Sequence, residues 1–221
     1  YERSQRRWRA DYGLPMPGQP DLARFSERLA AQGLKEGAPV LVRIFKRELE
    51  LELWMQRDGA FQRFATYPIC RWSGWLGPKL IEGDRQAPEG FYTVDATALN
   101  PNSRWFRSFN LGYPNAFDRS QGRTGSLIMV HGGCGSIGCF AMTNGQMSEI
   151  WQLVTAALDE FVASGIMPAS RRPNAEFLAW SSVHGLAMLL IDGPLRALPR
   201  GAAEAIAQQV IDMAEAGFTA P

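Results

Sequence analysis

Apolar and polar positions alternate most clearly between Pro39 and Met55, in PVLVRIFKRELELELWM. The alternation runs from Val40 to Phe45 and again from Leu49 to Leu53, which predicts two strands of a hairpin with one face buried. Ala60 to Ile69 reads as a further strand, and Phe91 to Asp95 as another. Upstream, Leu22, Phe25 and Leu29 fall at helical spacing, with Gly33 placed to end the helix. Ser73 to Gly90 carries many Gly and Pro residues and reads as a long irregular excursion. Pro101 to Thr124 is polar, aromatic and turn-rich, the character of a binding loop within a compact domain. Ser126 to Val130 is a short apolar run of the buried-strand type. Cys134 to Asn144 is Gly-rich, and Ser148 to Val162 is amphipathic at helical period.

Beyond Glu160 the pattern changes. The chain becomes Ala-rich, and Glu176 to Ile191 and Gly201 to Ala216 repeat apolar residues at i, i+3, i+4 and i+7, punctuated by Gly193-Pro194 and Pro199. The fold class expected is therefore α+β, with residues 1–158 as a mixed domain and 159–221 as a C-terminal helical extension. Residues 1–21, rich in Arg, Gly and Pro, read as an arm over the surface, and basic Arg3 to Arg9 as its solvated part.

Composition narrows the function classes. The 221 residues are 46% hydrophobic and 20% charged, ordinary for a globular protein, and the formal net charge of +1 supplies no argument for nucleic acid. No segment reaches the ~20 apolar residues that span a bilayer. The chain starts at Tyr1 rather than Met, as expected of a mature or trimmed chain. There are three cysteines, Cys70, Cys134 and Cys139, and two histidines, His131 and His184. An odd count leaves at least one thiol free unless chains pair, and any Cys–His chemistry must draw on one of two imidazoles.

The chemistry concentrates in VHGGCGSIGCFAMTN, Val130 to Asn144. A strand delivers His131 to its end, and Cys139 follows eight residues later across a Gly-rich turn. An imidazole that accepts the thiol proton makes a cysteine nucleophilic. Gly132, Gly133, Gly135 and Gly138 let the chain fold back and let a substrate carbonyl approach the backbone. N–H groups around Gly138 and Cys139 are candidate oxyanion donors. The second nitrogen of His131 needs an acceptor, for which the Gly132 carbonyl is a candidate. Residue by residue, two other readings stay open. Cys139 can be a small buried hydrophobe beside a structural histidine, or Cys134, Cys139 and His131 can supply three metal ligands, although the spacing is not a usual zinc pattern.

Several segments, in order, carry a resemblance: CRWSGWLGPK (Cys70 to Lys79), GDRQAPEGFY (Gly83 to Tyr92), NLGYPNAFD (Asn110 to Asp118) and HGGCGSIGCFAMTN. Over most of residues 37–158 the chain resembles the YkuD-type L,D-transpeptidase family, in its YafK-like branch. The resemblance implies a mostly β, sandwich-like catalytic domain that needs no metal and no cofactor. It implies Cys139 as nucleophile and His131 as base and then acid, with Gly132 and Gly138 completing the site. A thioester would form on a peptidoglycan stem peptide and pass to an amine or to water. Its expected place is the periplasm or cell envelope, with a wall-attached lipoprotein as a further partner. Tyr92, Asn110, Tyr113, Asn115, Asp118, Arg123 and Ser136 are expected to grip the stem peptide, Arg123 by meeting a carboxylate. Turn chemistry explains Asn115 and Asp118 equally well. Ile137 stands where the commoner family pattern has His, and the His-to-Cys gap is shorter, both as in the YafK-like branch. In an oxidising compartment Cys70 and Cys134 can pair and leave Cys139 free; a Cα separation above ~7 Å would exclude that bridge. A Cys134–Cys139 bridge would instead inactivate the site.

The tail departs from that family. FLAWSSVHGLAMLLIDGPL, Phe177 to Leu195, resembles the C-terminal domain of TetR-type regulators, with Trp180, His184 and Gly185 as its signature. No helix-turn-helix reader accompanies it, so nucleic acid is not an expected partner. The resemblance implies a binding or dimerisation module, hence a homodimer through the C-terminal helices, and a non-enzymatic binding module is the alternative to the enzyme. His184 reads as a core histidine.

Overall fold

The computed structural model describes residues 2–94 and 98–164, and in the C-terminal part residues 198, 199, 201–203, 205, 206, 208 and 209. The chain separates into two compact units, Tyr1–Glu160 and Phe161–Pro221. Expectations for Trp180, His184, Gly185 and the helix over 176–191 lie outside the described residues. So does most of the helix expected over 201–216.

The first sheet follows from the alternation. β1 (Val40–Phe45), β2 (Glu50–Arg57) and β3 (Ala60–Pro68) form an antiparallel sheet in the order β1-β2-β3. Asp58 and Gly59, at φ 52° and 78°, join β2 to β3 with Arg57 opposite Ala60. Positive φ at both turn residues is what an Asp-Gly hairpin turn provides, since its twist matches that of the strands. Leu51, Leu53 and Met55 point inward and are fully buried. Between them Glu52 is held by Arg43, by Arg63 and by the Trp54 indole N–H.

The second sheet has four short strands, β4 (Leu99–Asn100), β5 (Ser108–Asn110), β6 (Met129–His131) and β7 (Phe140–Ala141), in chain order. Its first two pairings are antiparallel and β6–β7 is parallel, with Val130 opposite Phe140. Arg71, just after β3, bridges Ala141 on the far side of β7, so that strand is not an open edge. α4 (Asn144–Ala163) contributes Met147, Ile150 and Leu153 to the cluster that holds Leu51, Leu53, Phe109 and Val130. The described architecture is thus mixed α/β, two sheets sharing their core with a long helix.

Four expectations change. Residues 1–21 do not simply wrap the surface: Glu2–Asp11 form α1, ahead of α2 (Phe25–Ala31). Nor is the basic stretch wholly solvated, because the Arg6 guanidinium donates to the carbonyls of Leu49 and Ile69. Residues 91–94 are irregular rather than a strand, since the Phe91 carbonyl accepts from the Asn115 side chain and Tyr92 turns its hydroxyl to Asp118. Finally, 101–124 is not all loop: it holds β5 and the short helix α3 (Ala116–Ser120), whose first turn is closed by reciprocal bonds between Asn115 and Asp118.

Candidate active site

His131 ends β6 and Cys139 immediately precedes β7. Val130 and Phe140, paired and buried, face the core. Side chains alternate along a strand, so His131 and Cys139, each one step removed in opposite directions, share the other face. The seven residues between them loop out and return in parallel, which is how a short sequence gap brings the two side chains to one surface.

Local bonds fix that loop. Ser136 Oγ donates to the Cys139 carbonyl at 2.6 Å and accepts from the Gly138 N–H at 3.1 Å. Gly138, at φ 155°, adopts backbone that L side chains rarely enter. The Gly133 N–H donates to Asn144 Oδ1 at 2.9 Å, and a Cβ on Gly132 would lie 2.6 Å from that same oxygen. A side chain at Gly132 would displace that oxygen from the Gly133 N–H and crowd the Phe106 carbonyl, which lies 3.1 Å from the same Cβ. Thr143 and Gln146 cap α4 reciprocally, the Thr143 N–H donating to Gln146 Oε1 and the Gln146 N–H to Thr143 Oγ1. A disulfide joins Cys134 to Cys70, with a Cα separation of 5.2 Å, and leaves Cys139 as the free thiol. With Cys134 bonded, the set of Cys134, Cys139 and His131 as metal ligands is lost.

Electrostatics make both partners neutral at rest. His131 is 3% exposed, and burial pulls its pKa below the usual 6.5 although the Gly132 carbonyl opposes the shift. Its Nδ1–H donates to that carbonyl at 2.6 Å, so the ring keeps its proton on Nδ1 and presents Nε2 as a base. Burial raises the Cys139 thiol above 9.0, against the lowering effect of the Met129 N–H, which donates to Sγ at 3.4 Å. The thiol itself points to the Leu127 carbonyl at 3.7 Å, and no hydrogen bond joins Cys139 to His131 among the described residues. The arrangement is a neutral thiol and a neutral imidazole on one strand face, suited to proton transfer during attack rather than to a standing thiolate. The Gly138 N–H is taken by Ser136, whereas the Cys139 N–H finds no acceptor among the described residues.

The residues expected to grip substrate divide into groups. Tyr92, Asn115, Asp118 and Arg123 converge on one buried carboxylate: Asp118 accepts from the Tyr92 hydroxyl at 3.0 Å, the Asn115 N–H at 3.1 Å and Arg123 at 2.8 Å. Arg123 already holds a carboxylate within the protein. Burial and Asp118 push the Tyr92 hydroxyl above its ordinary value. The Tyr113 hydroxyl, pushed by burial up to about 12, donates to the carbonyls of Lys79 and Thr124. Asn110 lies opposite Met129 in the sheet, its side chain accepting from the Gly112 N–H. Ser136 shapes the turn before Cys139.

Trp105 is a neighbour that sequence reasoning missed. Its ring centroid lies 6.1 Å from that of His131, and a Cβ on Gly133 would meet it at 2.9 Å. Its signal was the aromatic and basic run Arg104-Trp105-Phe106-Arg107. With Trp105 at 48% exposure, Leu127 at 63% and Ile137 at 81%, the surroundings of the site present an apolar surface.

Part of the chain matches known proteins. Residues 48–168 match the L,D-transpeptidase catalytic domain. Over 122 residues the chain is 48% identical to a protein named for L,D-transpeptidase activity, YafK of Escherichia coli (strain K12), which is 55% of this chain and 50% of that relative; YafK of Escherichia coli O157:H7 matches equally. The chain spans about half the length of the curated relatives it matches. Among solved structures, the helical cell shape determining protein Pgp2 of Campylobacter jejuni aligns at 27% identity and TM-score 0.44, over 61% of this chain and 52% of that one. Bd1075 of Bdellovibrio bacteriovorus aligns at 20% identity and TM-score 0.39, over 52% and 43%. A second match, residues 129–214, is to the C-terminal domain of tetracyclin repressor-like proteins. Its first part coincides with β6, β7 and α4 of the site.

Proposed function

The chain belongs to the L,D-transpeptidase catalytic-domain family, and from that membership we propose that it acts on peptidoglycan stem peptides through a Cys139 acyl-enzyme. The observation that carries the reading is the His131 tautomer. With Nδ1 donating to Gly132, Nε2 is the nitrogen left to act as base, on the strand face that also bears Cys139.

In the proposed reaction, Cys139 Sγ attacks the carbonyl carbon of a stem residue as His131 Nε2 takes the thiol proton. The negative charge gathering on the carbonyl oxygen meets the Cys139 N–H. Collapse breaks the C–N bond, His131 returns the proton to the leaving amine, and a thioester remains. An incoming amine gives a cross-link and water gives hydrolysis, with His131 taking the proton from either. Gly132 supplies the carbonyl that orients His131, and Gly138 the turn that presents Cys139. The Asp118 network of Tyr92, Asn115 and Arg123, with Tyr113 and Asn110, holds the loop along which the stem would lie. A wall substrate implies action in the periplasm or envelope, and a wall-attached lipoprotein is a further substrate under this proposal.

Intact-protein mass after incubation with a carbapenem tests the reading. One compound added to the native chain and none added to Cys139→Ala is the expected result. No adduct on the folded native chain, with Cys139 reduced, would count against it.

The match over residues 129–214 favours a second role alongside the first. We propose the division 1–158 for catalysis and 159–221 for binding or dimerisation.

A further inference from the structure

The bridge between Cys70 and Cys134 stands apart from the main core. The two cysteines form a small buried cluster with Met16, and half-buried Ala10 packs against it. Ala10 and Met16 both come from the N-terminal arm, ahead of the stretch 48–168 that matches the catalytic domain.

Local chemistry shapes the arm for that place. The Gly13 N–H, with Gly13 at φ 65°, donates to the Ala10 carbonyl at 3.1 Å, and the Leu14 N–H donates to the Arg9 carbonyl at 2.8 Å. That pair of bonds closes the C-terminus of α1 and reverses the chain. The Arg9 guanidinium donates to the Pro15 carbonyl at 3.0 Å, and the Gln19 N–H donates to the Met16 carbonyl at 3.0 Å. Met16, 3% exposed, is thereby delivered to the bridge. Arg6 fastens the other end. Its guanidinium donates to the Ile69 carbonyl at 2.8 Å and the Leu49 carbonyl at 3.3 Å, and its own carbonyl lies 3.9 Å from Cys70 Sγ.

These holds are few. Of residues 4–16 only Met16 is fully buried, and none of them belongs to the main core. A segment with so few buried apolar contacts opens at a far lower free-energy cost than the whole domain. Disulfide reduction requires a thiolate to reach one of the two sulfurs, so access governs its rate.

We propose that α1 and the turn to Met16 form a strap that shuts the Cys70–Cys134 bridge away from thiols, so that a dithiol reduces it only when the strap lifts with both sheets still folded. In that reduction a thiolate of the dithiol attacks one bridge sulfur, the S–S bond breaks and a mixed disulfide forms. The second thiolate then closes the reductant's own disulfide. Two electrons pass from the dithiol to the bridge, and its two protons end on Cys70 and Cys134. The strap thus controls whether the loop between His131 and Cys139 stays stapled, and does so without unfolding the domain.

The rate of reduction tests this. The chain is incubated with millimolar dithiothreitol, quenched with iodoacetamide, and its alkylated thiols are counted by intact mass. Cys139 accounts for one label without reductant, and the opened bridge adds two. Those two should appear at a rate nearly independent of urea below the unfolding transition, because lifting the strap exposes little surface. Arg6→Ala with Met16→Ala should speed their appearance about ten-fold or more, since it removes charged hydrogen bonds and the cover over the sulfurs. Met16→Leu, which keeps the volume, should stay close to the native rate. A native rate that climbs with urea as steeply as global unfolding, or a double variant no faster than the native chain, would overturn the proposal. The urea series on the native chain decides the matter even if the double variant does not fold.

Discussion

Cys139 shows why residue identity alone underdetermines chemistry. Its environment raises the thiol pKa and lowers that of His131, the reverse of a preformed ion pair, so reactivity must come from transfer to His131 Nε2. Alkylation or acylation of Cys139 should therefore persist below pH 6.5, because burial keeps the imidazole neutral there. It should fall only in more acid solution, as His131 takes a proton and ceases to be a base. A second rise belongs above pH 9, where the thiol ionises unaided. His131→Asn should remove the first limb, keep the second and slow reaction at pH 7 by about 10²-fold or more; mass-resolved labelling across pH reads both. A variant with an unchanged profile would show that His131 is not the base. The Cys–His pair and the Gly132 acceptor were legible because a strand end, glycines and scarce histidines left few choices. Trp105 was not legible, since its relation to His131 depends on left-handed backbone at Phe106 and Arg107, which non-glycine residues do not advertise.

At the scale of elements, legibility followed local chemistry. The strands over 40–68 declare themselves by alternation, whereas the turn at Asp58-Gly59 emerges from the structure. The stretch from Phe91 alternates as a strand would, but the Phe91 carbonyl accepts from the side chain of Asn115, the cap of α3, instead of from a neighbouring strand. Caps matter most where they border the site. Thr143→Ala should cost about 1 kcal/mol in denaturant unfolding. Asn144→Ala should add slower acylation of Cys139, because the Gly133 N–H loses its acceptor. If acylation is unchanged in that variant, the loop is not held through Asn144. The irregular segment 73–90 is organised by Asp84, whose carboxylate accepts from Lys79 and from the N–H groups of Leu80, Ile81 and Gln86. Burial raises its pKa, but these bonds outweigh it and hold the value at about 2, against 3.8 ordinarily. A depressed carboxylate stabilises the fold above pH 4, and that contribution is lost as pH falls from about 4 towards 2. Asp84→Asn should cost roughly 2 kcal/mol at pH 7 and nothing near pH 2, so native and variant urea midpoints should converge in acid.

Across the whole molecule, the disulfide between Cys70 and Cys134 links what the sequence separates by 64 positions. Cys70 follows β3 in the first sheet, and its N–H donates to Ala141 of β7 in the second. Cys134 sits in the loop between His131 and Cys139 at φ 54°, and its N–H donates to Met142. The bridge thus ties both sheets to the loop that presents the nucleophile. Closing a loop of that length removes about 4 kcal/mol of chain entropy from the unfolded state. Cys70→Ser with Cys134→Ser should therefore lower the melting temperature by about 10 °C. The same backbone bonds remain in that variant, so well below its melting point Cys139 should still accept one carbapenem, more slowly than in the native chain. An unchanged melting temperature would mean that the bridge contributes nothing to stability. A lowered melting temperature with an unchanged acylation rate would mean that it stabilises the fold without positioning Cys139, leaving that task to Ser136, Asn144 and the β6–β7 pairing.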